Sequence, residues 1–297
     1  MSHTISAIIV NYNAGALLRG CVDALMACPQ RIEVIVVDNA STDDSLNGMP
    51  ESGRLRVLRN PANVGFAAGC NIGLKTAAAP LLLFLNPDCY FQPSAIAILL
   101  EALQSGERVG MVGGLLVNSD GSEQGGGRRA VPTPWRAFVR AFGLYRLAER
   151  WPKLFYDFHL HKKPLPDGPV EVEAISGACM LVKREALEDV GLWDEGYFLH
   201  CEDLDWCMRF QQHNWQIWFV PGARIAHALG ACSHHRRLFV EWHKHKGMVR
   251  YYGKFFRDQY PAPLWWLVVL GVWLRFFTVA TYTLFKQGLA RLRRRDG

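Results

Sequence analysis

The chain has no Gly-x-Gly-x-x-Gly cradle. Its first apolar run of strand length, Ile5 to Val10, leads instead into Asn11-Tyr12-Asn13-Ala14-Gly15. A dinucleotide site at a first strand-to-helix turn needs those glycines for the tight turn and for close approach to a pyrophosphate. Walker A, Gly-x-Ser-x-Gly and His-Glu-x-x-His patterns are absent too. The P-loop, the serine elbow and the helix-borne zinc hydrolase are thereby set aside. The eight cysteines contain no Cys-x-x-Cys pair and are expected to be reduced and mostly buried. A zinc set of Cys201, Cys207, His213 and Cys232 can be written, but it matches no compact ligand spacing. Met1 to Ile9 has no basic segment followed by a long apolar stretch, so it reads as the first strand of a cytosolic domain. There is no internal repeat, and no low-complexity stretch beyond Gly125-Gly126-Gly127.

What is present is material for a large core. The 297 residues are 50% hydrophobic and 12% aromatic, enough for one large or two small domains. The formal charge of +6 hides an asymmetry. Residues 224–297 hold 14 Lys and Arg against 3 Asp and Glu, whereas residues 1–223 hold 19 against 24. Such a tail suits nucleic acid, anionic lipid or a diphosphate. Within it, Gln259 to Leu274 carries no charge, Arg275 interrupts, and a second apolar run extends from Phe276 to Phe285. The interruption argues against a simple span of about 20 apolar residues. Trp265, Trp266 and Trp273, with the closing Arg291, Arg293, Arg294 and Arg295, fit a segment lying in the cytoplasmic interface of a membrane. Nucleic-acid tails are more often polar and disordered, so no nucleic-acid partner is expected. A C-terminal helical hairpin packed on the domain, or on a second copy as a homodimer, is the structural alternative.

Apolar runs of strand length alternate with helix-like segments. Strands are predicted at Ile5–Val10, Glu33–Val37, Leu55–Leu58, Leu81–Leu85 and Val109–Val117, and helices near Ala14–Ala27, Phe66–Ala78 and 93–104. Strands apolar on both faces predict an α/β fold: a mostly parallel, Rossmann-like sheet with helices on both faces. Ligands of such sheets bind at the carboxyl ends of the strands. Asn11 and Asn13, Asp38 and Asn39, and Asn86 and Asp88 collect there. Residues 118–170 break the pattern and read as a long flap with a helix near 135–148. Val172–Val182 then forms a strand whose Ser176-Gly177-Ala178 permits close backbone approach. The expected division is a globular domain over 1–235 and a C-terminal helical segment over 236–297.

The densest chemistry lies in Gly196-Tyr197-Phe198-Leu199-His200-Cys201-Glu202-Asp203-Leu204-Asp205-Trp206-Cys207-Met208-Arg209, with three carboxylates in four positions. Crowded carboxylates raise one another's pKa and belong where a base, an acid or a cation site is needed; acids also gather at helix N-termini to offset the dipole. On a helix over 201–213, Glu202, Asp205 and Arg209 share one face and can pair, while Asp203 lies above Trp206, Cys207 and Phe210. Asp203 is therefore expected to be the carboxylate that points into a desolvated pocket. Without a glycine cradle, phosphates need another holder. Asp88, just after the most apolar strand, is placed to bind Mg²⁺ or Mn²⁺ bridging to a diphosphate, and His227 is the available second group.

Ile8-Ile9-Val10-Asn11-Tyr12-Asn13, Val36-Val37-Asp38-Asn39-Ala40-Ser41-Thr42-Asp43, Asn63-Val64-Gly65-Phe66-Ala67-Ala68-Gly69-Cys70-Asn71, Leu83-Phe84-Leu85-Asn86-Pro87-Asp88, Ser176-Gly177-Ala178, Glu202-Asp203 and His227 occur in this order. Together they resemble the inverting family 2 glycosyltransferases of GT-A fold, and among them bacterial rhamnosyltransferases that build surface polysaccharides on a lipid carrier. The resemblance covers roughly residues 4–235. It implies that Asn11, Asn13 and Asp38 line the base and ribose pocket, completed by Asn39, Gly65, Phe66 and Asn71. Asp88 would be the surviving acid of the Asp-x-Asp motif, with Asn86 where many relatives have the first Asp, and His227 a second metal or diphosphate contact. Asp203 would be the catalytic base. Glu202 and Asp205 would orient the acceptor or pair with Arg209, and Arg128 or Arg129 would face the departing diphosphate.

The implied donor is dTDP-L-rhamnose, with a UDP-sugar second. The implied acceptor is a polyprenyl-diphosphate-linked saccharide at the inner face of the cell membrane. A non-catalytic nucleotide-sugar-binding scaffold and a nicotinamide-dependent oxidoreductase are the competing readings.

Overall fold

Strands buried on both faces and helices that shield them account for the first half of the chain, β1 (Ile5–Asn11), α1 (Ala16–Met26), β2 (Ile32–Asp38), β3 (Leu55–Arg59), α2 (Phe66–Leu74), β4 (Leu81–Leu85), β5 (Cys89–Phe91), α3 (Ser94–Gln104) and β6 (Val109–Val117). Every residue of β1 and β6 is buried, which the continuous apolar runs require. Then come β7 (Arg128–Arg129), α4 (Pro134–Ala141), β8 (Val170–Glu171), β9 (Ala174–Ile175), β10 (Cys179–Lys183), α5 (Arg184–Val190), α6 (Glu202–Gln212), β11 (Gln216–His227), α7 (Arg237–Phe255) and α8 (Ala262–Arg293). The computed structural model describes residues 4–50, 52–228 and 236–293, without the side chains of 288–293. The expected 235/236 boundary, Cys232 and the side chains of the closing arginines lie outside the described residues.

The main sheet has the order β3-β2-β1-β4-β10-β6-β11-β5, with β8 beside β11. It is parallel across β3-β2-β1-β4. Beyond that β10 runs antiparallel between β4 and β6, and β11 lies parallel to β6. The parallel strands therefore end on one edge, where Asn11 and Asp38 stand side by side in register. The last residue of β11, His227, pairs with Cys89.

Two expectations change in the second half. The strand predicted over 172–182 is split by the turn at Ser176–Ala178, so that β9 pairs with β7 in a small second sheet while β10 enters the main one. The flap helix shortens to α4, after which Gly143 takes a left-handed φ of 69° and a 3-10 turn follows.

The C-terminal segment is tied into the core through α7. Tyr251, Tyr252 and Phe256 are buried in the same cluster as Trp206 and Phe210. Gly247 lies so close to α6 that a Cβ there would meet the His200 carbonyl oxygen at 2.8 Å. The expected Arg275 interruption does not break the helix, because Arg275 turns toward α7 and its Nη1 donates to Nε2 of buried His245 at 2.9 Å. α8 is thus continuous, and its Ala262–Gln287 stretch is long and apolar enough to cross a membrane, with 11% of that window buried. Trp266, Leu267, Leu270, Leu274 and Phe277 form an exposed stripe at helical spacing.

His245 makes this contact sensitive to acid. Its Nδ1 donates to the Glu241 carbonyl at 2.7 Å, so Nε2 must be unprotonated to accept from Arg275. Burial lowers its pKa, with Arg275 and Lys244 acting in the same direction and the Glu241 carbonyl and carboxylate opposing them. A histidine held below its unfolded value near 6.5 contributes stability that is complete above that value and lost as pH falls through the folded one. Acidification from pH 7 to 5 is expected to loosen α8, read as faster amide exchange over 262–285. His245→Gln should flatten that dependence; an unchanged dependence would sink the assignment.

Candidate active site

The ends of β1 and β2 are stitched together by short polar side chains. Asn11 Nδ2 donates to Asp38 Oδ1 at 2.8 Å and reaches Ser45 Oγ at 2.9 Å. Asp38 Oδ2 accepts from the Ser41 amide at 3.2 Å. Asn13, left-handed at φ 51°, accepts from the Thr42 amide at 2.8 Å. Asn11, Asp38 and Asn39 are all buried, and Asn11 Oδ1 has no hydrogen-bond partner among the described residues. A buried acceptor at a strand end, free of a protein partner, can accept from a ligand donor.

Gly65 and Phe66 join this edge to the acid cluster. Asn39 Nδ2 donates to the Gly65 carbonyl at 3.0 Å, and the Phe66 amide donates to the Phe198 carbonyl at 2.9 Å. Gly65 has φ 88°, and a Cβ there would lie 2.5 Å from Phe198 O. Gly65→Ala therefore combines left-handed strain with a backbone clash and is expected to cost about 1–3 kcal/mol. A urea midpoint equal to wild type would contradict this. Asn71 is corrected by the structure. Its amide is consumed by Trp193 O, Trp193 N and Glu195 Oε1, so it anchors the 193–195 segment rather than completing a nucleotide pocket.

The carboxylate cluster is resolved by three different means. Asp205, the most buried, accepts from Arg209 Nε at 2.7 Å, Lys254 Nζ at 2.6 Å and Tyr197 OH at 3.1 Å. Arg209 also donates to the carbonyls of Val190 and Leu192. Asp205 and Arg209 are thus a structural pair, as their spacing allowed, and have no free face for an acceptor. Glu202 does not join them. Burial, and then the charge of Asp203, push its pKa up to about 8, which favours its protonated form. Asp203 is not the deepest acid, contrary to expectation: its side chain keeps 16% exposure while Asp205 has none. α7 covers the helix face that carries Asp205, through Lys254.

Asp203 instead looks toward the turn between β9 and β10. Its Oδ2 accepts from the Gly177 amide at 3.2 Å and is paired with Arg129 Nη2. Ala178 in the same turn accepts from the Asn86 amide at 2.9 Å. One three-residue turn thus sets Asp203 beside the Asn86-Pro87-Asp88 loop. Of the two flap arginines, only Arg129 reaches this place. Arg128 is buried on Glu123 at 2.8 Å and on the carbonyls of Lys163 and Pro164, which rules out its expected contact with a diphosphate.

Asp88 and His227 meet as expected, with Nε2 3.3 Å from Asp88 Oδ1. Asn86 Nδ2 is 3.2 Å from the same Nε2. The tautomer follows from Gln124, a residue that no sequence signal marked. Its amide nitrogen donates to Asn118 Oδ1 and to the His227 carbonyl, both at 3.2 Å, so its Oε1 must be the atom 2.6 Å from His227 Nδ1. His227 therefore carries a proton on Nδ1 and turns Nε2 to Asp88 and Asn86. Asp88, Cys89 and His227 offer ligand atoms within 4.8 Å of one another. Burial holds the Cys89 thiol well above its usual pKa, and it donates to Ala178 O, so it stays a neutral thiol. A carboxylate oxygen and an imidazole nitrogen are a donor set that fits Mn²⁺ or Mg²⁺. The zinc alternative fails among the described residues, where Cys201, Cys207 and His213 each face a different partner.

The chain is 27% identical to the N-acetylglucosaminyl-diphospho-decaprenol L-rhamnosyltransferase of Mycobacterium tuberculosis over 99% of its own length and 97% of that protein's. Among solved structures it resembles the Pyrobaculum calidifontis mannosyltransferase PcManGT in complex with GDP-Man and Mn²⁺, with TM-score 0.58 and 17% identity, covering 98% of this chain and 80% of that one. It also resembles GalNAc-T7 with UDP, GalNAc and Mn²⁺, with TM-score 0.56 and 19% identity, over 76% of this chain and 44% of that one. These two likenesses establish a GT-A fold. A family-group-2 glycosyl transferase model matches residues 130–287, and the glycosyl transferase family 2 model matches residues 6–191: the chain belongs to glycosyl transferase family 2.

Proposed function

We propose that this glycosyltransferase moves L-rhamnose from dTDP-L-rhamnose, with inversion, to a hydroxyl of a polyprenyl-diphosphate-linked saccharide. The observation that carries the catalytic part is the single turn at Ser176–Ala178 that holds Asp203 beside the loop bearing Asp88. Asp203 accepts the proton of the acceptor hydroxyl as that oxygen attacks the anomeric carbon from the face opposite the nucleotide. The bond to the donor phosphate oxygen breaks, and the configuration inverts. The rhamnose and lipid parts are supported by the full-length relative; a UDP-sugar would use the same machinery.

Asn11, Asn13, Asp38 and Asn39 would receive the nucleoside, the orphan Asn11 Oδ1 accepting a donor of the base or ribose. Gly65 and Phe66 would support the pocket from behind. Asp88 and His227 would hold Mg²⁺ or Mn²⁺, with Asn86 at its edge, and the cation would supply positive charge to the leaving diphosphate. Arg129 would hold the Asp203 carboxylate in position until the acceptor arrives. In this reading residues 1–235 carry the chemistry. Residues 236–297 attach the enzyme peripherally to the inner face of the membrane, with the exposed stripe of α8 in the bilayer interface and α7 bracing both parts.

Thermal stabilisation by dTDP, UDP, GDP and NAD, each with and without Mn²⁺ or Mg²⁺, tests the donor assignment. Metal-enhanced stabilisation by dTDP is expected. Preference for UDP would change the sugar and keep the mechanism, and a response to none of the nucleoside diphosphates in a folded sample would favour a non-catalytic scaffold.

A further inference from the structure

The flap carries a surface that the transfer chemistry does not use. α4 begins with Thr133, whose hydroxyl accepts from the Arg136 amide, followed by Pro134 at the first helical position. It buries Pro134 and Val139 and turns Trp135 and Phe138 outward, with Phe142 just beyond its end; all three are exposed, Phe142 at 69%. Their rings form a continuous row, Trp135 stacked on Phe138 at 5.5 Å and Phe138 against Phe142 at 4.6 Å. Trp135 Nε1 donates to the Leu154 carbonyl at 2.8 Å, which brings exposed Leu154 to the row, with exposed Trp151 one turn before it in the chain.

Charge identifies what covers this row. Residues 134–154 hold five Lys and Arg and one acid, Glu149. Arg136 and Arg140 are paired with Glu173 and Asp157. Arg146, Arg150 and Lys153 are exposed and form no ion pair among the described residues. Tryptophan and phenylalanine interleaved with unpaired cations fit the headgroup zone of an anionic bilayer, which accepts aromatic rings and attracts each basic side chain.

We infer that residues 134–154 form a second membrane-docking surface for anionic lipid, separate from α8. The inference deepens the proposed lipid-linked function and places the catalytic acid near the bilayer. The flap returns to the site at both ends: Ala130 N donates to Phe158 O at 2.9 Å, Arg129 bridges to His159, and Arg129 pairs with Asp203. Docking of the flap would thus hold Arg129 and Asp203 at the depth where the sugar of a membrane-anchored acceptor emerges.

The test is sedimentation of the full chain with phosphatidylcholine vesicles, with and without phosphatidylglycerol. The combined variant Arg146→Glu, Arg150→Glu, Lys153→Glu is expected to lose about 100-fold in partitioning to the anionic vesicles. Phe138→Ser with Phe142→Ser and Trp151→Ser should lose binding as well, both sets melting as wild type and keeping their nucleotide response. Leu267→Ser with Leu270→Ser and Leu274→Ser reports α8 separately. Flap variants that bind as wild type while the α8 variant does not would overturn the second surface and leave the proposed function standing. Flap variants that convert a dimer to a monomer would overturn it too, by making the row a contact with a second copy.

Discussion

Asp203→Asn is expected to lower turnover by about 10²–10⁴-fold, the usual worth of a positioned general base, while donor binding measured by thermal shift stays as in wild type. The expectation rests on where the other acids are. Asp205 is consumed by Arg209, Lys254 and Tyr197, and burial beside Asp203 raises the pKa of Glu202 and favours its protonated form. Asp203 alone among the three keeps some exposure, at 16%, and lies between the Gly177 amide and Arg129. The Asn amide keeps an oxygen to accept from the Gly177 amide and so preserves the turn. Loss of folding in this variant would move Asp203 from chemistry to structure. Full activity with Asn would eliminate it as the base.

The same arrangement gives the pH dependence a sign. A carboxyl raised in the fold binds its proton more tightly than in the unfolded chain, so its contribution is complete below the unfolded value near 4.5 and declines as pH rises toward the folded value. Glu202→Gln is therefore expected to be more stable than wild type at pH 8 to 9 and to differ less at pH 5, by chemical denaturation at each pH. An advantage at acid pH instead would mean that Glu202 is ionised in the fold.

Much of this site is legible in the sequence because it is periodic or local. Buried strands announce themselves as apolar runs, and the first polar residues after them, Asn11, Asp38 and Asn86, fall on the edge where parallel strands end. What could not be read depends on partners distant in the chain. Helical spacing pairs Asp205 with Arg209, but only the fold brings Lys254 from α7 and makes Asp205 the most buried acid. Asn71 has the look of a site residue until Trp193 and Glu195 take its amide. Arg128 and Arg129 are indistinguishable as neighbours. The β7–β9 pairing sends one to Glu123 and the other to Asp203. Arg275 reads as an interruption of an apolar segment until His245 receives it.

Gln124 belongs to the same class of hidden residues, and its removal is expected to be the second largest effect. It is 3% exposed, and its Oε1 holds the proton of His227 on Nδ1. Gln124→Leu leaves Nδ1–H without an acceptor, so the ring gains nothing from that tautomer and Nε2 is no longer fixed toward Asp88. Loss of such an orienting partner typically costs 10–100-fold in metal affinity. The Mn²⁺ concentration for half-maximal stabilisation of the dTDP-bound protein is expected to rise by about that factor. Gln124→Glu keeps an acceptor for Nδ1–H and should recover much of the loss, whereas His227→Ala should remove the metal response without affecting the metal-free nucleotide response at Asn11 and Asp38. A core-filling role for Gln124 would lower the melting temperature of both Gln124 variants equally and leave the Mn²⁺ midpoint unmoved. A shifted midpoint restored by Glu requires the hydrogen bond to His227, because leucine and glutamate differ there in acceptor chemistry.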